Sequence, residues 1–275
     1  MRVWLWLLYS KEKWGKKSLG CRYLKRGYKI VQADGKPFDP YLSFKGRAGK
    51  SVALAIMRKD GGPAIDIPVI PRRINPKQEW LESQRLGSRV IEHKGKKIAY
   101  ANLWSCAGEE HQQAIQDAII DSFQAAEALV IDFRNGWGGC NAEFLNLFNP
   151  YIPIFTGIDQ RAGKTETTDT QWRKPLFLLI NAGTRSGKEV VAFAIKKHKI
   201  GTLIGERTAG AVMAGQAFLL SDGSLLYLAV HDGLLDGQRL EGVGVEPDVY
   251  VAAPLPFAQG KDPQLEAVLD LAVPK

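Results

Sequence analysis

Residues 128–139 read Ala-Leu-Val-Ile-Asp-Phe-Arg-Asn-Gly-Trp-Gly-Gly, an apolar run that passes directly into a glycine-rich loop. A short apolar run is typical of a buried strand, and the glycines leave the backbone free to turn its N–H groups toward a ligand. A second apolar run, Leu-Phe-Leu-Leu-Ile at 176–180, passes into Asn-Ala-Gly-Thr-Arg-Ser at 181–186. The sequence therefore predicts two buried strands that each end in a segment suited to acyl-transfer chemistry.

Ser186 stands at the start of a predicted helix, residues 186–197, in which apolar side chains recur at helical spacing. The unpaired N–H groups and the dipole of a helix N-terminus favour a developing negative charge, which suits a nucleophilic hydroxyl. An ordinary helix cap is the alternative explanation for Ser186, and Thr184 could fill that role as well. An ordinary tight loop between strand and helix is likewise the alternative for residues 132–139.

The remaining pattern alternates strands with helices, which predicts an α/β core. Further core strands are predicted at 97–103 and 199–204, and helices at 111–124, 142–148 and 264–271. Residues 1–75 are predicted to be mainly β, with strands at 29–33, 51–58 and 65–70. Residues 76–95 are interpreted as a polar connection, 159–170 as a loop, and 217–230 as a β-hairpin around Asp222-Gly223.

Length and charge limit the function classes. The chain has 275 residues and a formal charge of +8, which allows one large or two smaller domains. Much of the positive excess lies in the first 30 residues and no nucleic-acid motif is present, so nucleic-acid binding is disfavoured. No run reaches the length of a membrane span. Val3–Tyr9 is apolar but short and lacks a cleavage site, so a strand is preferred to a signal peptide. The chain as written is predicted to be cytoplasmic, or periplasmic or extracytoplasmic if its N-terminus is shortened.

The three cysteines indicate neither a disulfide framework nor a metal site. Cys21, Cys106 and Cys140 are too few and too scattered to predict a disulfide framework or a zinc site. Cys140 directly follows the glycine loop and is interpreted as a small buried packing residue, with a reactive thiol as the alternative. No metal and no cofactor are predicted.

Four sequence blocks occur in one order along the second half of the chain. They are Asp-Phe-Arg-Asn-Gly-Trp-Gly-Gly at 132–139, Ser-Gly-Lys-Glu at 186–189, Gly-Glu-Arg-Thr-Ala-Gly at 205–210, and Glu-Gly-Val-Gly-Val-Glu-Pro-Asp at 241–248. In these blocks, residues 98–252 resemble the C-terminal-processing (tail-specific) peptidases and their relative, the tricorn core protease. Residues 27–37 resemble the middle of a PDZ domain, which such peptidases commonly carry before the catalytic core.

The resemblance implies a ClpP/crotonase-like β-α spiral and a set of site residues. By position, Ser186 would be the nucleophile, and the N–H groups of Gly139 and Gly187 would form the oxyanion hole. Glu241 matches the tricorn-type glutamate that supports the hydrogen-bond network of the site; a solvated carboxylate is its alternative. Gly138 and Arg207, in two of the matched blocks, are the implied substrate-binding residues.

The general base is the point at which this chain departs from the family. The processing-peptidase branch carries a lysine 25 residues after the serine, and Ala211 stands at that position here. The tricorn branch carries a histidine before the PDZ domain, whereas the first histidine here is His93. Lys188 is disfavoured as a substitute because two residues along a helix turn it about 200° away from Ser186. His231 is the most plausible stray base.

Three hypotheses follow. The first is a serine endopeptidase that acts through an acyl-enzyme on unstructured or C-terminal polypeptide segments, with residues 1–75 as an incomplete PDZ-like domain, 76–95 as a connection and 96–275 as the catalytic domain. The second is a binding module for peptides or apolar ligands on the same fold, favoured by the missing base. The third is a shortened product whose histidine lies upstream. The expected partner is a polypeptide substrate, and an oligomer is possible.

Overall fold

The structure, a computed structural model, describes residues 24–273. These residues form two compact units. The first contains residues 24–86 together with 253–263, and the second contains residues 87–252 together with 264–273. Each unit has its own apolar core.

The first unit is built on a four-stranded antiparallel sheet in the order β2-β1-β3-β4. Its strands are β1 Lys29–Ala33, β2 Lys36–Pro37, β3 Val52–Met57 and β4 Ala64–Val69. The fully buried Val52, Leu54 and Ile56 alternate along β3 and supply much of the core. Residues 253–263 join this unit through backbone bonds from Phe257 N–H to Gly27 O and from Gly260 N–H to Arg26 O.

The second unit is built on a six-stranded sheet in the order β14-β11-β10-β7-β6-β5. The strands are β5 Arg89–His93, β6 Lys96–Asn102, β7 Ala128–Asp132, β10 Leu176–Ile180, β11 Thr202–Gly205 and β14 Val249–Tyr250. All neighbours run parallel except the antiparallel edge strand β5. Parallel strands are covered on both faces, so their sequences are continuously apolar rather than alternating.

Helices of the second unit cover both faces of this sheet: α2 Glu109–Asp121, the 3-10 helix Ala142–Phe148, α3 Gly187–Lys197 and α4 Pro263–Leu271. Helix α1 Pro76–Gly87 precedes β5 in the chain. Leu129 and Ile131 of β7 point into a core with α2, α3 and the 3-10 helix. Ala128 and Val130 point the other way, into a core with Val268 of α4. The mixed α/β fold predicted from the sequence is confirmed.

Three matched blocks follow strands that are neighbours in the sheet. Leu179 of β10 is in register with Asp132 of β7, and Ile180 of β10 is in register with Gly205 of β11. Because the carboxyl ends of parallel strands lie at one edge, the segments after β7, β10 and β11 meet there. This edge is where a ligand site is expected in an open α/β sheet.

The structure differs from the sequence predictions in two segments. Residues 76–95, expected to be a connection, contain α1 and β5. Residues 159–170, expected to be a loop, belong to the hairpin of β8 Phe155–Asp159 and β9 Lys164–Thr168. Both strands of that hairpin are largely exposed, so the apolar alternation that marks a half-buried strand is missing. The helix predicted at Ala142–Phe148 is present, as a 3-10 helix.

The other hairpin, β12 Ala214–Leu219 with β13 Leu225–His231, forms around the predicted turn. The assignment of the first unit to a PDZ domain stays a prediction. The strand expected at Val3–Tyr9 lies outside the described residues. Within residues 24–273, none of the helices has the length and apolarity needed to cross a bilayer.

Candidate active site

Ser186 occupies a strained backbone position at the N-terminus of α3. Its φ is +57° and its ψ is −135°, a conformation that few non-glycine residues adopt. Such strain costs on the order of 1–3 kcal/mol and is concentrated at functional sites. Its N–H is held by the carbonyl oxygen of Ala211 at 2.8 Å and by Glu189 Oε2 at 3.1 Å. The sharp strand-to-helix turn is the geometry that exposes a nucleophilic hydroxyl at the edge of a sheet.

The glycine loop lies directly against Ser186. A Cβ on Gly138 would stand 2.5 Å from Ser186 Cβ and 2.9 Å from its Oγ. A Cβ on Gly187 would stand 2.1 Å from the carbonyl oxygen of Cys140 and 2.6 Å from its nitrogen. Gly139 has a φ of +91°, which favours glycine, and its Cα faces Ala107. The structure therefore brings Gly138, the Gly139–Cys140 backbone, Ser186 and Gly187 together, although the roles assigned to them stay predictions.

A buried ion pair fixes the start of the glycine loop. The Arg134 guanidinium binds Asp132 through Nε to Oδ1 at 2.9 Å and through Nη2 to Oδ2 at 2.6 Å. Tyr100 Oη donates to Asp132 Oδ2 at 2.8 Å, and Arg134 Nη1 donates to Gln264 Oε1 at 3.1 Å. Further donors and acceptors of this kind are what a buried ion pair requires. The Asp-x-Arg part of the block is thus explained by loop architecture.

Thr184 is the alternative to Ser186 at this strand end, and its environment is different. Its side chain is fully buried. Its Oγ1 donates to Phe133 O at 3.1 Å and accepts the N–H of Asn181 at 3.0 Å. Because the Thr184 hydroxyl bonds to a backbone group of each segment, it joins the segment after β7 to the segment after β10. Ser186, which is half-buried, remains the better candidate nucleophile.

Glu189 is a buried carboxylate to which the sequence analysis gave no role. It is fully buried in the first turn of α3. Its Oε1 accepts from Thr208 Oγ1 at 2.5 Å and from Gly210 N–H at 2.7 Å, and its Oε2 accepts from Ala211 N–H at 2.8 Å as well as from Ser186. Four donors compensate the burial of the charge. Glu189 therefore ties the Ser186 turn to residues 208–211; the Ser-x-x-Glu spacing of a capping box is the sequence signal that could have indicated it.

Ala211 and Glu241 lie beside that turn. The Ala211 carbonyl accepts the Ser186 N–H, so the position at which the processing peptidases carry lysine is adjacent to the candidate nucleophile and holds only a methyl group. Glu241 is half-buried, and its Oε2 accepts the N–H groups of Val212 at 2.7 Å and Met213 at 2.9 Å. Glu241 thus holds the segment that follows Ala211.

Lys188 and the histidines at 93, 111, 198 and 231 are the side chains whose chemistry would suit a general base, and each has a different environment. Lys188 is fully buried, and its Nζ donates to backbone carbonyl oxygens. His93 contacts Asp270 at 2.6 Å, His111 is buried in α2, and His198 ends α3. His231 is exposed at the end of β13, where it is in register with Ala214, three residues beyond Ala211.

Arg207 is separated from this network. Its side chain is exposed and forms a loose ion pair with Glu246 at 3.7 Å. An exposed pair of this kind contributes about 0–1 kcal/mol. The substrate-binding role implied for Arg207 stays a prediction that these contacts do not explain.

Cys106 and Cys140 form a disulfide, which corrects the interpretation of the cysteines as too scattered to pair. Cys106 follows β6 and Cys140 follows the glycine loop after β7, so neighbouring parallel strands deliver them to one place despite 34 residues of separation. Cys140 is half-buried and bonded, so it is neither the buried packing residue nor the free reactive thiol considered above. Cys106 N–H also donates to Gly138 O at 3.0 Å, and both contacts fasten the glycine loop.

Loss of this disulfide should measurably destabilise the second unit. For a loop closed across 34 residues, the chain-entropy relation gives a contribution of about 4 kcal/mol. Cys106→Ser with Cys140→Ser should lower the free energy of unfolding by about that amount in urea titrations, whereas Cys21→Ser should not. Equal stability of the oxidised chain and the double variant would contradict a structural disulfide at this position.

A cavity of about 420 Å³ borders the glycine loop. Its lining includes Gly139, Cys140, Gln112, Gln116 and Phe144. Most of the other lining residues are polar or charged, among them Glu109, Gln113, Asn141 and Glu143. The cavity thus places polar side chains next to the predicted oxyanion hole.

Sequence comparison places the chain among known proteins. Residues 97–251 match the profile of Peptidase family S41. The putative tricorn protease homolog 2 of Streptomyces coelicolor is 26% identical over 264 residues, covering 91% of this chain and 22% of the relative. The carboxyl-terminal-processing protease of Synechocystis sp. is 24% identical over 274 residues, covering 89% of this chain and 62% of the relative. The chain therefore spans less than two thirds of either relative.

Solved structures share the fold. The crystal structure of the tricorn protease gives a TM-score of 0.53 at 21% identity, covering 89% of this chain and 24% of that one. A putative S41 protease from Bacteroides fragilis gives 0.54 at 17% identity, covering 90% and 73%. The resemblance inferred from the four blocks is confirmed by these matches. Because the S41 profile covers more than half of the sequence, the chain belongs to peptidase family S41.

Proposed function

We propose that this chain is a serine-peptidase module that cleaves peptide bonds in unstructured or C-terminal polypeptide segments through an acyl-enzyme at Ser186. The observation that carries the proposal is the strained Ser186 turn packed against Gly138, at the N-terminus of α3. Family membership and the names of the relatives support the peptidase class.

The proposed reaction begins with attack of Ser186 Oγ on the scissile carbonyl carbon. The Oγ–C bond forms as the hydroxyl proton passes to a water molecule or to a general base, and the carbonyl π electrons move onto oxygen. The N–H groups of Gly139 and Gly187, with the N-terminal dipole of α3, would stabilise that oxyanion. Collapse of the tetrahedral intermediate expels the amine with a proton and leaves the acyl-enzyme, which water then hydrolyses.

Removal of the Ser186 proton is the step for which this chain supplies the fewest suitable groups. The Lys188 ammonium is occupied by carbonyl oxygens, and the carboxylates of Glu189 and Glu241 are occupied by backbone N–H groups. We therefore expect slow hydrolysis by this chain alone, supported mainly by the oxyanion hole and binding. A histidine supplied from outside this sequence, or His231, would raise the rate. The methyl side chain of Ala211 also favours a second candidate function, a peptide-binding module on the same fold.

The first unit supports a role in substrate selection. Among residues 24–273, β4 is an edge strand of its sheet, and a PDZ-like domain binds a peptide by adding a strand to such an edge and capturing its terminal carboxylate. A disulfide persists in oxidising compartments, which supports the extracytoplasmic alternative for the location of the chain.

Covalent labelling tests the proposal without requiring turnover. A fluorophosphonate probe should modify Ser186, identified by mass spectrometry of the labelled peptide. Ser186→Ala should abolish labelling, whereas Ser224→Ala, in an exposed turn, should leave it unchanged. Failure of the oxidised, folded chain to label at Ser186 would contradict the peptidase proposal and favour the binding module.

A further inference from the structure

Lys188 is a fully buried lysine, two residues after the candidate nucleophile, that the reaction above does not use. Its Nζ donates to Trp104 O at 2.9 Å and to Asn135 O at 3.0 Å, and it lies 3.5 Å from Phe133 O. An ammonium has three protons and no acceptor, so three carbonyl oxygens match its donors. The side chain thus joins the first turn of α3 to the segments that follow β6 and β7.

The same carbonyl groups hold the glycine loop. Trp104 O also accepts the N–H of Trp137 at 2.8 Å, and a Cβ on Gly136 would stand 2.2 Å from that oxygen. Asn135 and Trp137 are therefore fastened on either side of Gly136, just before the two glycines that approach Ser186. In a trans peptide the N–H points opposite to the carbonyl, so carbonyls drawn toward Lys188 turn their N–H groups away from it.

We propose that Lys188 is a positioning residue. Its ammonium hydrogen-bonds to the carbonyl groups of Trp104, Phe133 and Asn135. These bonds hold the loop that carries Gly138 and Gly139 against Ser186. The inference rests on the proposed function for its catalytic consequence, but the loop contacts stand independently. An oxyanion hole works because its donors are fixed before the reaction, so loosening the loop slows attack.

The charge on Lys188 gives this role a pH dependence. Burial lowers the pKa of the Lys188 ammonium to about 7; the Asp132 carboxylate opposes the shift and the Arg185 guanidinium adds to it. The Asp132 carboxylate is itself paired with the Arg134 guanidinium at 2.6 Å. Above that pKa the amine keeps two protons and turns a lone pair toward a carbonyl oxygen, so one of the three bonds is lost.

The test compares fluorophosphonate labelling of Ser186 in the wild type and in Lys188→Met, which keeps the volume and removes the donors. At about pH 6 the variant should label about 10–100-fold more slowly, the effect of a misplaced reacting group. The ratio of the two rates should become smaller above about pH 8, since the neutral amine of the wild type has lost one of its three bonds to the loop but keeps two N–H donors that methionine lacks. Lys197→Met, an exposed lysine of the same helix, is the matched control and should label like the wild type.

Two other labelling outcomes would overturn the inference. A rate ratio that does not change with pH would indicate a packing role, and a ratio that grows above pH 7 would make Lys188 the general base. Amide exchange gives a readout that does not need a reactive serine. Residues 134–139 should exchange faster in Lys188→Met than in the wild type at the same low pH, and unchanged exchange there would refute positioning. If neither protein labels but the loop loosens, the proposed function fails while the inference stands.

Discussion

Replacing Ala211 by lysine should raise peptide hydrolysis by about 100-fold or more, because general-base catalysis contributes about 10²–10⁴ in rate. The reason is positional. The Ala211 carbonyl is 2.8 Å from the Ser186 nitrogen, so a lysine at 211 begins next to the serine, and its amine can act as a base at about pH 10, where an exposed lysine loses its proton. Ala211 is also exposed, so the longer side chain does not have to displace core atoms.

Casein or an unfolded reporter peptide is a suitable substrate for this measurement. Ala214→Lys adds the same charge at an exposed position three residues away and should leave the rate unchanged. Combining Ala211→Lys with Ser186→Ala should remove the gain. No gain in an Ala211→Lys variant that still labels with fluorophosphonate would show that the missing base is not what limits this chain.

The Gly138→Ala variant should lose at least about 100-fold in Ser186 labelling, comparable to the loss of an oxyanion-hole donor. The added methyl would stand 2.5 Å from Ser186 Cβ. Non-bonded carbon atoms do not approach so closely, so either the loop or the serine must move. A shift of about 1 Å at a reacting centre can cost about 100-fold.

A matched glycine separates this effect from a general loss of stability. Gly233 also has a φ outside the left-handed region, and a Cβ there would meet open space. Gly233→Ala should therefore label like the wild type, and both variants should be checked by thermal unfolding. Normal labelling of a folded Gly138→Ala would mean that the glycine loop does not contact the reactive form of Ser186.

The sequence alone predicted the central strands of the core and the glycine loop and serine turn that follow two of them. The apolar runs 128–131 and 176–180 became adjacent central strands because a parallel sheet covered on both faces needs continuous apolar segments. The exposed hairpin of β8 and β9 and the helix at 76–87 were missed because their residues carry little burial signal. The helix at 142–148 was predicted without its type, because spacing over seven residues does not separate a 3-10 helix from an α-helix.

The sequence by itself determined that Ser186 begins a helix after one buried strand and that a glycine loop follows another. Both are local properties of apolar runs, glycine and cap residues. Only the tertiary structure decided what surrounds Ser186: the bonds from Glu189 to residues 208–211, the Lys188 ammonium beneath the glycine loop, the Cys106–Cys140 disulfide and the closeness of Ala211. These contacts join segments that are far apart in the chain, and strand order rather than sequence spacing determines which loops share an edge of the sheet.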